Sequence, residues 1–102
     1  MDMIQIMRQA REFQQRLSQV QNELIDRTVT ASAGGGRVSV NVNGRCQLLS
    51  IQIDREIINP EEQTMLHDLI LAAVNEGIKK AQDIAQAEMR KLTGGINIPG
   101  II

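Results

Sequence analysis

The sequence predicts an α+β domain: a long N-terminal helix, a three-stranded antiparallel sheet and a long C-terminal helix. Three observations predict it. Met3, Ile6, Ala10, Phe13, Leu17, Val20 and Leu24 recur in steps of three and four, a helical period. The stretch RVSVNV, then Asn43-Gly44, then SIQID reads as two alternating strands joined by a turn. Asn59-Pro60-Glu61-Glu62 opens a second helical run that continues to Gly94-Gly95.

The first helix is expected over residues 3–27. Its seven apolar positions form one seam with a repeat of about 3.5 residues, the spacing of a coiled-coil interface and also of a helix packed on a sheet. Ile4 and Met7 widen the stripe at its N-terminal end, and Arg8, Arg11, Gln15 and Asn22 fall outside it. TVTASA, residues 28–33, alternates Val29, Ala31 and Ala33 with hydroxyl residues and reads as a first strand. Gly34, Gly35 and Gly36 reverse the chain, since glycine accepts positive φ at little cost.

Asn43-Gly44 is the composition of a two-residue type I′ turn. That turn would set Val42 opposite Arg45, Val40 opposite Gln47 and Val38 opposite Leu49. Val38, Val40, Val42, Leu49, Ile51 and Ile53 then share the apolar face, with Cys46 and Leu48 on the other. The helices are expected to cover that apolar face. In the second helix Asn59 suits the N-cap, Pro60 the first helical position, and Glu62 can reach back to close a capping box. Gly77 lowers helix propensity by about 1 kcal/mol relative to Ala and marks a tight crossing. Residues 1–93 are expected to form one domain, and residues 94–102 a flexible Gly- and Pro-containing tail.

Composition narrows the function. A chain of 102 residues typically buries about 65% of its unfolded surface, and this one has one Phe, no Tyr and no Trp. A partner chain is therefore an attractive source of buried area. Net charge is −1, so any polyanion binding must come from local clustering. Cys46 is the single cysteine and excludes an intrachain disulfide. No unbroken apolar run reads as a signal peptide or membrane span, and a cytoplasmic protein is expected.

The chemistry of enzymes is sparse here. His67 is the only histidine, and its neighbour Asp68 points about 100° away around the helix, so the two form no dyad. One His and one Cys cannot complete a zinc site. GGGR lacks the spacing and following helix of a phosphate loop. The basic residues Arg8, Arg11, Arg16, Lys79, Lys80, Arg90 and Lys91 are interleaved with Glu12, Glu76, Asp83 and Glu88. They read either as a solvated mixed-charge face or as phosphate contacts.

The opening MRQAREFQQRLSQVQNEL, the segment GGGRVSVNVNG, SIQID at 50–54, LHDLILAAVNEGIKKAQ at 66–82 and EMRKLTGGINIPG stand in a familiar order. Together they resemble the YbaB/EbfC family of bacterial nucleoid-associated proteins along nearly the whole chain. Two departures are Asp54-Arg55 where the family usually has Asp-Pro, and Gly77 where it usually has Ala. The resemblance implies a tweezers-shaped cytosolic homodimer with the sheets at its centre and the helices as arms. It implies double-stranded DNA binding with limited sequence preference, and a role in nucleoid organisation or gene regulation. It implies no enzymatic activity and no cofactor; no metal, membrane or small-molecule substrate is expected. On that reading Arg8, Arg11, Arg16, Lys79, Lys80, Arg90 and Lys91 are the expected phosphate contacts. Phe13, Leu17, Val38, Val40, Leu49, Ile51 and Ile53 are the expected core and dimer residues. The alternative expectation is a protein-interaction or chaperone-like module that uses the helix arms and the apolar tail.

Overall fold

A computed structural model describes residues 2–94; the expected tail lies almost entirely outside them. Helix α1 spans Met3–Asp26, strands β1, β2 and β3 span Thr28–Ala33, Val38–Asn43 and Leu48–Ile53, and helix α2 spans Gln63–Leu92. The strands form one antiparallel sheet in the order β1-β2-β3. Asp2 caps α1, its carboxylate accepting from the Gln5 N–H at 2.8 Å.

The core is the seam between α2 and two strands. Ala73, Gly77 and Ala81, one helical turn apart, lie buried against Ala31, Val40 and Val42. A Cβ on Gly77 would stand 2.8 Å from Val42 Cγ2 and 3.0 Å from Val40 Cγ2, which is the tight crossing that the sequence predicts. This ridge of small residues lets α2 lie close on β1 and β2.

The expected cover over the whole apolar face does not form within one chain. Leu48 and Ile51 share the face of the buried β2 valines but stay 43% and 42% exposed, because α2 lies over β1 and β2 and not over β3. The α1 seam is covered in part, and only toward its C-terminal end. Leu24 is buried and Phe13, Leu17 and Val20 are half-buried, whereas Met3, Ile6 and Ala10 are exposed. A helix packed along the sheet is thereby ruled out for α1 within the chain. The molecule measures 69 × 22 × 17 Å with a radius of gyration of 19.0 Å, against about 13 Å for a compact domain of this length.

The β2–β3 turn differs from the two-residue reading. Its loop is Gly44-Arg45-Cys46, closed by the Asn43 N–H donating to the Gln47 carbonyl at 3.0 Å and the Cys46 N–H to the Asn43 carbonyl at 2.9 Å. Cys46, at φ 63, takes the left-handed position expected of the glycine. Gly44 is needed for proximity. Its N–H donates to the carbonyls of Leu24 (2.9 Å) and Arg27 (2.8 Å), and a Cβ there would meet Leu24 O at 2.7 Å. Asn43 is buried, and both polar atoms of its side chain are bonded: Oδ1 accepts from the N–H groups of Arg45 and Gln47, and Nδ2 donates to Gln47 Oε1. An irregularity at Asn41/Val42 then resets the register. Val38 pairs with Ile53, Val40 with Ile51 and Val42 with Leu48, while Leu49 is left unpaired and 54% exposed. Cys46 packs half-buried against the core, not on the opposite face.

The entry to α2 is also corrected. Asn59 caps a 3-10 turn at Pro60–Glu62, accepting from the Glu61 N–H at 3.0 Å, and α2 starts at Gln63. The Asn59 N–H already donates to the Ile57 carbonyl of a preceding 3-10 turn, so no donor awaits Glu62 and no capping box closes.

Candidate nucleic-acid interface

The charges follow the fold. Helix α1 from Met3 to Asn22 carries Arg8, Arg11 and Arg16 against Glu12 alone, and no acidic residue occurs between Arg27 and Ile53. Acids collect instead at Asp54, Glu56, Glu61 and Glu62, beyond the sheet. A near-neutral chain thus holds a basic arm and a basic sheet unit beside an acidic corner.

The seven expected basic residues separate into two groups. Arg8, Arg11 and Arg16 are exposed on α1, and none makes an ion pair or side-chain hydrogen bond among the described residues. They span about 12 Å along the helix axis at 1.5 Å per residue. At about 100° per residue Arg8 and Arg11 share one side, and Arg16 lies about 80° beyond Arg8. Because the arm projects from the fold, these guanidiniums can reach a surface that a convex globule would keep at a distance.

Helix α2 is different. Lys79 and Arg90 are exposed without an ion pair among the described residues, but Lys80 and Lys91 are engaged. The Lys80 ammonium donates to the Thr30 carbonyl at 3.1 Å, tying α2 to β1. The Lys91 ammonium sits 3.2 Å from Glu88 Oε1, the oxygen that also accepts from Arg27 Nη1 at 2.9 Å. That junction joins the end of α1 to the end of α2. Asp68, Glu76 and Asp83 share α2 with its lysines, so its outer side stays electrically mixed. The arrangement therefore groups Arg8 with Arg11, sets Arg16 apart from Arg11 by about 140° around the helix, and leaves two of the four α2 cations engaged.

Sequence reasoning missed the Arg27–Glu88 pair, whose members are 61 residues apart and carry no local signal. It also missed the acid-free stretch from Arg27 to Ile53, which can be read directly from the sequence. His67 is exposed and stands apart from Cys46, and no group of three His, Cys, Asp or Glu among the described residues is placed to hold a metal ion. No described helix is long and apolar enough to cross a membrane. Shallow recesses along α1 are lined by α1 residues alone and are open helix surface.

Comparison with known proteins accords with this geometry. The chain is 50% identical over 95 residues to a nucleoid-associated protein of Syntrophobacter fumaroxidans, covering 93% of this chain and 86% of that one. It is 49% identical over 100 residues to a nucleoid-associated protein of Pelotomaculum thermopropionicum, covering 98% and 95%. Its fold matches the crystal structure of an uncharacterized protein from Helicobacter pylori with a TM-score of 0.85 and 26% identity, over 92% of this chain and 99% of that one. A profile of the YbaB/EbfC DNA-binding family matches residues 1–96. With a long helix on either side of a three-stranded antiparallel sheet and a match over nearly its full length, this chain belongs to the YbaB/EbfC DNA-binding family.

Proposed function

We propose that the protein is a cytoplasmic, nucleoid-associated homodimer that binds double-stranded DNA through phosphate contacts, with limited sequence preference, and organises the nucleoid or regulates genes. The observation that carries this reading is the α1 arm, with three exposed arginines against Glu12 alone and none of them in an ion pair among the described residues. Guanidinium groups bind phosphate oxygens without reading base identity, which accounts for limited preference. Arg8, Arg11 and Arg16 are assigned as the principal contacts, with Lys79 and Arg90 as supplements. Lys80 and Lys91 are assigned mainly to holding α2 in place.

The dimer is inferred from surface that one chain leaves bare. Strand β3 is an edge strand carrying Leu48, Leu49 and Ile51, and the α1 seam continues outward through Ala10, Ile6 and Met3. A second copy applied across β3 buries the first set and doubles the number of basic arms. Residues 1–93 act as the folded unit in this reading.

Fluorescence anisotropy of a labelled random-sequence duplex across a salt series tests the function. Binding that weakens steeply with salt supports it, and no binding at low salt refutes it. The exposed apolar arm end, Met3, Ile4, Ile6 and Met7, favours the second reading of a protein-interaction module. A stable protein partner that survives nuclease and high salt, together with no DNA binding, would establish that reading instead.

A further inference from the structure

Ile4 and Met7, expected from the sequence to widen the α1 stripe, stand off its seam at the outer end of the helix, as Ile25 does at the inner end. Ile4 and Met7 are 70% and 54% exposed. At about 100° per residue they lie roughly 160° and 100° from the centre of the line that runs from Met3 to Leu24. A partner helix seated on that seam leaves them facing outward. Their neighbours on the same side are Arg8 and Arg11, and the four side chains fall within an arc of about 100°. Ile4, Met7, Arg8, Arg11, Glu12 and Gln15 line one shallow recess, two guanidiniums against one carboxylate.

The charges select the occupant of this face. Two copies apposed through it would bring four guanidiniums together against two Glu12 carboxylates, an unfavourable balance. An anionic surface meets no such penalty. The face needs a ligand that offers phosphates to the arginines and an apolar slot to Ile4 and Met7. A DNA duplex offers both, since its base-pair stack is apolar between flanking phosphates, and side chains such as Ile and Met wedge into base steps from the minor groove.

Resting on the DNA-binding reading above, we propose that Ile4 and Met7 form a wedge. It enters a base step of the duplex that Arg8 and Arg11 hold by its phosphates, and so bends the DNA. The two residues stand about 4.5 Å apart along the helix axis, against a rise of about 3.4 Å for a base step, so both tips can be aimed at one opened step. Pyrimidine–purine steps unstack most readily, so the bend concentrates at TA and CA steps.

The test compares the wild-type protein with the double variant Ile4→Ser/Met7→Ser on an end-labelled duplex with a central TA step. Energy transfer between the ends reads the bend, and anisotropy across a salt series reads the phosphate contacts. The wild type is expected to bend the duplex by an amount in the range of about 20–90°. The variant is expected to keep its salt slope, to lose the bend, and to lose any preference for the TA duplex over one with a central AA step. Circular dichroism confirms that α1 remains helical in the variant. Wild-type binding without bending overturns the wedge, as does a variant that bends as strongly as the wild type. An assembly state that changes with the variant in sedimentation also overturns it, by making the face a contact between copies. Binding to anionic vesicles that requires Ile4 and Met7, with no bending of DNA, assigns the face to lipid and overturns it too. A wild type that binds no duplex at low salt refutes the DNA-binding reading itself, a result distinct from binding without bending.

Discussion

Replacing Arg8, Arg11 and Arg16 together with glutamine separates charge from structure in the α1 arm. Arg and Gln have similar helix propensity, and all three arginines are exposed without ion pairs among the described residues, so the fold should be undisturbed within about 0.5 kcal/mol. Each phosphate neutralised contributes about 0.9 to the fall of log K with log salt. Three contacts per protomer contribute about 2.7, and the dimer about 5.4, so raising salt from 50 to 200 mM weakens these contacts by about three orders of magnitude. The triple variant should lose most of that slope in anisotropy titrations of a random duplex. The control is Lys80→Gln/Lys91→Gln, whose ammonium groups are held by the Thr30 carbonyl and by Glu88. It should change the slope by no more than about 1. An unaltered slope in the arginine variant, or a larger loss in the lysine variant, refutes the assignment.

Four further outcomes are expected. Ile51→Glu, on the uncovered edge strand, should convert a species of twice the 11.3 kDa chain mass into monomer in analytical ultracentrifugation; a variant that stays dimeric would place the contact elsewhere. Val40→Ala, at a fully buried position under Gly77, should lower stability by about 2–3 kcal/mol in urea titrations that resolve the midpoint. Gly44→Ala should cost about 1–3 kcal/mol in thermal melts, because its Cβ would meet the Leu24 backbone carbonyl at 2.7 Å and neither backbone segment can yield cheaply. A double-mutant cycle on Arg27 and Glu88 should give a coupling below about 1 kcal/mol that disappears at high salt, since half of the Arg27 side chain is open to water.

The sequence disclosed the elements whose causes are local. The period of α1, the alternation of β2 and the small residues of α2 each report a face, and the face set the element. Gly77 was legible as a close crossing because a glycine inside a long helix needs a packing reason. The β2–β3 turn was misread because Asn-Gly carries two physical meanings. Gly44 serves contact with Leu24, twenty residues earlier in the chain, while Cys46 supplies the positive φ. Nothing within the hairpin distinguishes these cases. The start of α2 was misplaced for the same kind of reason: the donor that a capping box would use is consumed by a bond to Ile57. Among the candidate contacts, the exposure of Arg8 and Arg11 follows from their positions off the seam. The engagement of Lys80 with Thr30, fifty residues away, does not follow from any spacing.

Net charge, read alone, argues against a DNA-binding protein here, and the proposed function meets that argument with the placement of the charges. Attraction to a phosphate backbone decays within about a Debye length, roughly 8 Å at physiological salt. What matters is therefore the charge within reach of the contact, not the sum over 102 residues. The acids at Asp54, Glu56, Glu61 and Glu62 follow β3, in the segment leading into α2, and three successive elements separate them in sequence from the α1 arginines. Glu88 is already occupied by Arg27 and Lys91. A 24-residue helix that buries only Leu24 is a costly element to keep if its purpose is packing. Its cost is understandable if the exposed length carries charge away from the acidic corner. On the proposed function, the same separation lets a chain with a pI near 5.8 keep a cationic arm for DNA without an overall positive charge that would bind polyanions indiscriminately.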